Sequence, residues 1–241
     1  MLNNAFIDII MFKKELKFMK KGFTLAEVLI TLGIIGVVAA MTMPTLINNH
    51  REKETVVKLK KLNSTLQNAY NIMRQEEYGS SINSILDYGT NDEFIDNFTK
   101  YLKVQNVCHE GELDDCFIVK SSYKTIGNGV GTPMYGPDST AFMLADGTVV
   151  IVAGRDTPTY KQLFVDLNGK NPPNTYGKDA FSFIMNTQKI VPRGNVALRI
   201  NGTIRYDTSG YCRRDSTFIS HNGLGCTAWV INMGNMDYLR K

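Results

Sequence analysis

The chain has 241 residues, of which 43% are hydrophobic and 21% charged, and its formal net charge is +4. This composition is that of an ordinary globular protein and excludes a largely disordered chain, and the length suits one or two small domains after an anchor. Much of the positive charge flanks a single apolar run, and no basic stripe interleaved with aromatic residues follows it. The charge balance therefore favours a membrane edge and gives no indication of nucleic-acid binding.

The first predicted element is the run of residues 23–43, which is apolar apart from Glu27 and small threonines. At 1.5 Å per residue, this run is long enough to cross a hydrocarbon core of about 30 Å. A charge at the centre of such a segment costs about 2.5 to 3.5 kcal/mol, and less near an end. The presence of a charged residue at position 27 therefore calls for a functional explanation.

A lysine-rich leader and Gly22 precede this run. A secretory signal peptide would place its cleavage site after the apolar stretch, whereas the processing point expected here, Gly22-Phe23, lies before it. The sequence KGFTLAEVLITLGIIGVVAAMTMP, residues 21–44, resembles the N-terminal signature of type IV pilins and type II secretion pseudopilins. The residues that match this signature in type and spacing are Gly22, Phe23, Thr24, Leu25, Glu27 and Pro44.

The resemblance implies a processing pathway and a filament. A prepilin peptidase would cut after Gly22 and methylate the new N-terminal Phe23, and the apolar segment would remain as the anchor and later as the filament core. Glu27 would pair with the N-terminal amine of a neighbouring subunit, which relieves two unfavourable buried charges. In the simpler alternative, Glu27 lies solvated at headgroup level. Pro44 would kink or locally unwind the helix, or would only mark the end of the membrane segment.

The orientation of the segment follows from the resemblance more than from charge. Five lysines precede the run and five basic residues follow it, so the positive-inside comparison is weak. These residues are Lys13, Lys14, Lys17, Lys20 and Lys21 before the run, and Arg51, Lys53, Lys58, Lys60 and Lys61 after it. Met1, Met11 and Met19 are alternative starts.

A second, amphipathic stretch of helix is predicted beyond Pro44. Leu59, Leu62, Leu66, Ala69 and Met73 recur at steps of three and four and form one apolar stripe. The opposite side carries the polar residues Lys60, Lys61, Asn63, Ser64, Gln67 and Arg74. The helix is expected to end near Tyr78, before Gly79, and its stripe to pack on a sheet.

The remaining chain predicts an α+β domain. Phe94, Ile95, Phe98 and Leu102 have helical spacing within residues 90–103. Residues 141–152 predict a hairpin that turns at Asp146-Gly147, and VALRINGTIRY predicts another at Asn201-Gly202. KQLFVDLNG and DAFSFIM indicate shorter strands, and CTAWVINM a last one, while residues 127–137 read as a loop without a phosphate-binding motif.

Four cysteines fall into two close pairs, Cys108/Cys116 and Cys212/Cys226. An even number in an exported domain predicts a disulfide in each pair, and each short loop would contribute roughly 2 to 3 kcal/mol. Free thiols are the alternative for a domain that stays in the cytoplasm. A metal site would need four converging thiolates, and no Cys-x-x-Cys motif is present.

One internal stretch, FVDLNGKNPPNTYGKDAF, has the chemistry of a cation site. Asp166, Asn168, Asn174 and Asp179 supply oxygen ligands around a turn, and calcium takes six to eight oxygens. Major pseudopilin subunits hold calcium in a loop of the globular domain, so the resemblance also implies a calcium site here. The stretch departs from an EF-hand, since two prolines interrupt it and no glutamate stands at the twelfth position. In the alternative interpretation, these residues cap their own backbone in a turn-rich loop.

No catalytic motif appears, and His50, His109 and His221 are scattered, so we expect no enzyme. The predicted organisation is a leader (1–22), a membrane and filament-core helix (23–46), its amphipathic continuation (47–79) and an extracytoplasmic globular domain (80–241). The predicted fold is pilin-like α+β, with the long helix packed on a small antiparallel sheet. The resemblance implies as partners a prepilin peptidase, other pilin or pseudopilin subunits, an inner-membrane assembly platform and membrane lipid. A single-pass anchored binding or sensing domain is the alternative function.

Overall fold

The computed structural model describes residues 22–78, 90–113, 116, 123–127, 129–132, 136, 138–157, 160–194, 198–200, 203–205, 212 and 220–240. The chain divides into two units after Asn48. The predictions that concern the leader, the start codon and the Gly79 helix stop lie outside the described residues. Within the described residues, the fold is a long N-terminal helix that packs on a six-stranded antiparallel sheet, an α+β arrangement consistent with the predicted pilin-like fold.

Helix α1, Leu25–Met73, is the longest element and includes Pro44. It is therefore not ended by the proline, and it continues into one π-helical turn, Arg74–Tyr78. Among the described residues, α1 and this turn form the one helix long and apolar enough to cross a membrane; its most apolar window has a mean hydropathy of 2.2 and is not buried in the protein. The ability of this helix to cross a membrane is inferred from its length and composition, as the sequence predicted.

The C-terminal part of α1 supplies one wall of the domain core. All five residues of the predicted apolar stripe are buried: Leu59, Leu62, Leu66, Ala69 and Met73. They belong to one hydrophobic cluster with the sheet residues Phe142, Val150, Leu163 and Phe183. Burial of such a stripe, at about 25 cal/mol per Å² of apolar surface, stabilises the helix more than its intrinsic propensity does.

The sheet is a meander in which each strand pairs with the next along the chain. Its strands are β1 Val104–Cys108, β2 Thr140–Leu144, β3 Val149–Thr157, β4 Tyr160–Asp166, β5 Ala180–Asn186 and β6 Ile190–Pro192. The predicted hairpin at Asp146-Gly147 joins β2 to β3, and Gly147 has a φ of +80°, which glycine adopts without strain. The hairpin predicted at Asn201-Gly202 is also confirmed, since β7 Leu198–Ile200 pairs with β8 Thr203–Arg205.

Helix α2, Asn91–Thr99, confirms the short helix predicted in this region. The Thr90 side chain accepts a hydrogen bond from the Glu93 backbone N–H and so caps the helix. Phe94, Ile95 and Phe98 are fully buried in the same cluster as α1. Leu102 lies beyond the end of the helix and is only partly buried.

The strand predicted for CTAWVINM is wrong, because these residues form helix α3, Cys226–Met233. Gly234, in the left-handed conformation at φ +67°, donates its N–H to Val230 O and ends the helix. Cys226, Thr227 and Val230 are buried, and the Thr227 hydroxyl accepts the Ser182 N–H of β5 at 3.0 Å. Tertiary packing has therefore overridden the strand preference of Thr, Trp, Val and Ile.

The last residues of the chain fold back onto α1. Arg240 donates to Glu52 at 2.6 Å and to Asn49 at 3.1 Å, and a second guanidinium nitrogen pairs with Asp237 at 2.9 Å. Tyr238 is buried and donates its hydroxyl to Gly177 O at 2.6 Å. Arg240 therefore meets the start of the unit that begins at Asn49.

Candidate functional site

Thr24 and Glu27 form a reciprocal cap at the start of α1. The Glu27 carboxylate oxygen Oε2 accepts the Thr24 backbone N–H at 2.8 Å and the Thr24 hydroxyl at 2.9 Å, while the Glu27 N–H donates to Thr24 Oγ1 at 3.2 Å. Since α1 begins at Leu25, Thr24 is the N-cap and Glu27 the third helical residue, which is the spacing of a capping box. Sequence reasoning missed this role, although the spacing Thr-x-x-Glu carries the signal.

The cap uses only one of the two oxygens of the Glu27 carboxylate. Both bonds from Thr24 go to Oε2, and among the described residues no group hydrogen-bonds to Oε1. The Glu27 side chain is exposed, as are Phe23 and Leu25 beside it. The carboxylate is therefore held in place by its own chain and can still accept a donor from outside.

Gly22 and Phe23 lie exposed immediately before the cap, and Phe23 is 86% exposed. A Cβ atom built on Gly22 would meet nothing within 4 Å among the described residues, and the backbone of Gly22 does not have a positive φ. Within this part of the chain, neither space nor backbone conformation requires glycine at position 22. Any requirement for glycine at position 22 would therefore come from another protein that recognises this segment.

Both cysteine pairs predicted from spacing are joined in the structure. Cys108 and Cys116 are linked with a Cα–Cα distance of 6.4 Å, and Cys212 and Cys226 with one of 4.9 Å. Both distances lie in the range usual for disulfides. The second bridge ties residue 212 to the first residue of α3, inside the main hydrophobic cluster.

The four residues predicted as calcium ligands lie at the end of β4 and in the segment 167–179 that follows. Asp166 accepts the Tyr123 hydroxyl at 2.7 Å and the Asn168 N–H at 3.1 Å. Asp179 accepts the Asn174 N–H at 2.8 Å and the Thr175 N–H at 2.7 Å. Each of the four carboxylate oxygens thus has a protein donor, which is the backbone-capping arrangement of the alternative interpretation.

Burial makes this carboxyl pair electrostatically unusual. Asp166 and Asp179 are 1% and 6% exposed, and the described residues form no salt bridge to either. Burial, with the nearby Asp179 charge, raises the pKa of Asp166 to about 7, and burial also raises the pKa of Asp179. Burial and the adjacent Asp166 charge raise the pKa of Tyr123, which therefore stays a hydroxyl donor.

The fit of this segment to a calcium ion is partial. The Asn168 oxygen Oδ1 is buried without a hydrogen-bond partner among the described residues, which suits a cation ligand. The Asn168 amide nitrogen donates to Asn171 O and Pro172 O, so the amide is held in one orientation. However, the described residues contain no group of three or more His, Cys, Asp and Glu side chains that could hold a metal ion. Two carboxylates and one amide oxygen would need several further oxygens from backbone or water.

A comparison with protein-family models finds a match in the N-terminal segment. Residues 17–43 match the family model described as the prokaryotic N-terminal methylation motif, which is the hallmark of type IV pilins and pseudopilins. The match covers the capping box and the whole apolar run of residues 23–43, and it confirms the resemblance seen in the sequence. It supports a prepilin of the type IV pilin and pseudopilin kind. No curated protein and no solved structure matches the chain.

Proposed function

We propose that this chain is a structural, non-enzymatic subunit of a type IV pilus or a type II secretion-type pseudopilus. It is cleaved between Gly22 and Phe23, N-methylated on Phe23 and assembled through α1. The methylation motif at residues 17–43 is the observation that carries this proposal. The single apolar helix and the disulfide-bonded domain support it, because such a helix can anchor a subunit in a membrane and disulfides persist in exported domains.

Glu27 has a defined part in this proposal. Its Oε1 faces no protein donor among the described residues, while Oε2 is fixed by Thr24. An incoming Phe23 ammonium from the next subunit would therefore meet a carboxylate that is already positioned. Leaving such an ammonium unpaired in an apolar filament core would cost about 3 to 5 kcal/mol, so the pairing fixes the register of docking.

The proposed location follows from the same motif. The subunit is held in the inner membrane by residues 23–43 with its C-terminal domain on the extracytoplasmic side, and an inner-membrane assembly platform then moves it into the filament. A single-pass anchored binding or sensing domain is the competing function, in which the apolar segment only tethers the domain.

The deciding experiment is mass spectrometry of the full chain, extracted from membranes of cells with an active prepilin peptidase. We expect a mature N-terminus at N-methyl-Phe23, and an uncleaved chain when the peptidase is deleted. Gly22→Ala should block cleavage without changing the thermal unfolding of the domain, since Gly22 has no packing role. An intact leader in the peptidase-positive cells would overturn the proposal and favour the anchored domain.

A calcium ion at the segment 167–179 is a second proposal. Within the described residues, the two buried carboxylates have no cationic partner and the Asn168 oxygen Oδ1 has no hydrogen-bond donor, and both observations favour this ion. Calcium that binds only the folded state should raise the Tm, by an amount that grows with the logarithm of one plus the ratio of its concentration to Kd, and Asp179→Asn should remove this shift. An unchanged Tm between millimolar calcium and a chelator would contradict this site and would not affect the filament proposal.

A further inference from the structure

The part of α1 that follows Asn49 presents a basic face to solvent. Lys53, Val57, Lys60 and Lys61 lie at positions i, i+4, i+7 and i+8, which places them on one side of the helix, opposite the buried stripe. All four are exposed, and Val57 is 67% exposed although it is apolar. This face is called the basic face below.

The basic face makes few ion pairs with the described part of the chain. Lys61 has one ion pair, to Asp146 at 3.8 Å, in which the lysine side chain is 70% exposed, so the pair contributes little. Lys60 lies near Gly234 at the C-terminal end of α3. Among the described residues, no carboxylate pairs with Lys53 or Lys60. Lys58 is not part of this face, because its ammonium donates to Leu167 O.

An acidic corner lies elsewhere in the same unit, where α2 meets the residues after β1. Asp92 and Asp96 flank the His109 ring at 3.1 and 3.7 Å, and Glu112 accepts the His109 N–H at 3.0 Å. The Glu110 N–H donates to Asp92 at 3.0 Å, which adds a fourth acidic residue to the corner. No lysine or arginine among the described residues pairs with Asp92, Asp96 or Glu112, and Asp96 is 61% exposed.

One domain thus carries two exposed faces of opposite charge. Faces of this kind are complementary between copies, and a contact between two different faces of identical subunits is head-to-tail. Such a contact repeats without closing when the rotation between subunits does not form a ring, and it then builds a filament. Docking of a second copy on the basic face would also cover the exposed Val57.

We propose that the basic face of one subunit docks on the acidic corner of a second copy. This inference rests on the proposed filament function and names the contact between the globular domains that would accompany docking of the apolar helices. Lys53 and Lys61 approach Asp96 and Glu112 of the next copy, and Val57 is covered between them. The contact gives direction to the assembly, since two basic faces or two acidic corners repel one another.

The first test is zero-length carbodiimide crosslinking of assembled, processed subunits, prepared from a mixture of 14N- and 15N-labelled protein. We expect mixed-isotope peptides that join Lys53 or Lys61 to Asp96 or Glu112. High salt, at about 0.5 M, should reduce their yield because it screens exposed charges over a few ångströms. Mixed crosslinks confined to other residues would overturn the proposal.

The second test is charge reversal in cells that assemble the wild-type chain. K53E/K61E should reduce incorporation into sheared filaments about tenfold, which corresponds to about 1.4 kcal/mol per docking step. Adding D96K/E112K to this variant should restore most of the loss, because attraction between the two faces returns. The matched reversal K124E/K189E, at two exposed lysines outside both faces, should assemble normally. Lys60 is left unchanged because it lies near the end of α3.

The outcomes separate this proposal from the proposed function. Wild-type chain that forms neither filaments nor crosslinked oligomers overturns the filament function and this contact with it. Normal assembly of K53E/K61E overturns the contact alone. Loss without rescue, in variants that keep the wild-type Tm, also overturns it and indicates another occupant of the basic face, such as anionic lipid headgroups.

Discussion

The Thr24 hydroxyl and the Glu27 carboxylate hold each other across the first turn of α1, at 2.9 Å, with reciprocal bonds to the two backbone N–H groups. The glutamate of the methylation motif therefore has a role before any second subunit arrives. It satisfies donors that the start of a helix leaves unpaired. The consequence is that substitutions at position 27 can act through the cap, through the charge, or through both.

Glu27→Gln and Glu27→Ala should therefore be compared directly. Gln keeps an oxygen for the cap and loses the charge, whereas Ala loses both. We expect both variants to insert in the membrane, and both to be strongly reduced in sheared filaments because the Phe23 ammonium lacks its partner. Thr24→Ala, which weakens the cap by about 1 kcal/mol and keeps the charge, should assemble better than either. Normal incorporation of Glu27→Gln would remove the pairing role.

The stability of the domain should fall as pH rises through the range from about 4 to about 7. Burial raises the pKa of Asp166 to about 7 in the folded chain, while an unfolded aspartate titrates near 3.9. The folded state therefore favours the protonated carboxyl. Its contribution to stability is complete below the pKa of the unfolded state and is lost once the pH has risen past the pKa of the folded state. We expect the free energy of unfolding to drop by roughly 2 to 4 kcal/mol between pH 4 and pH 8.

Denaturant unfolding with a calcium chelator present measures this effect, and Asp166→Asn is the matched variant. Because Asn cannot ionise, the unfolding free energy of the Asp166→Asn variant should change much less over the same pH range. Its oxygen can still accept the Tyr123 hydroxyl, which limits the structural cost. A variant with the same pH dependence as the wild type would show that other groups are responsible.

Gly223→Ala should destabilise the domain by more than 2 kcal/mol. Gly223 has a φ of +110°, and a Cβ there would lie 2.3 Å from Tyr176 O, a backbone atom that cannot move aside easily. Gly147→Ala is the control, since it has a similar positive φ of +80° and open space around it. Thermal unfolding should give a clearly lower Tm for the first variant. Equal Tm values would mean that backbone strain alone, and not the close approach, sets the cost.

Removing the Cys212–Cys226 bridge should cost more than removing Cys108–Cys116. The Cys212–Cys226 bridge closes a loop with a sequence separation of 14 residues, and the Cys108–Cys116 bridge closes a loop with a separation of 8. The chain-entropy model gives roughly 2 to 3 kcal/mol for each bridge. Cys226 is also fully buried in the main cluster. Double serine variants compared by denaturant unfolding check the order. Thiol labelling of exported wild type should find no free cysteine, and labelling at all four positions would contradict both bridges.

Local patterns in the sequence predicted most of the fold. The stripe from Leu59 to Met73 is buried as its spacing required, the β2–β3 hairpin turns at Asp146-Gly147, and β7 pairs with β8 as predicted. Two strands were missed, β1 and β6. Strand β6 has only three residues, and the exposed centre of β1 at Gln105 and Asn106 breaks the apolar alternation. Such edge strands are specified by their neighbours rather than by their own composition.

The candidate site was predictable in part. Glu27 stood out because a charge in an apolar run needs a partner, but its capping bond required attention to Thr24, three residues earlier. The oxygen-rich residues from Asp166 to Asp179 were recognised, yet the sequence could not tell backbone caps from cation ligands. The same oxygens serve both purposes, and only their distances to Thr175 and Tyr123 distinguish them. The error at Cys226–Met233 has a similar cause, since long-range contacts of Thr227 decided the outcome.

The bond from Arg240 to Asn49 and Glu52 has a mechanical consequence. Asn49, at the start of the folded unit, and Arg240 are held together, so tension applied between the first helical turn of this unit and Arg240 passes directly between them. The load is then shared by the Arg240 ion pair and the buried Tyr238, and the sheet between them is by-passed. Single-molecule pulling between residues 49 and 240 would break the Arg240 contacts first.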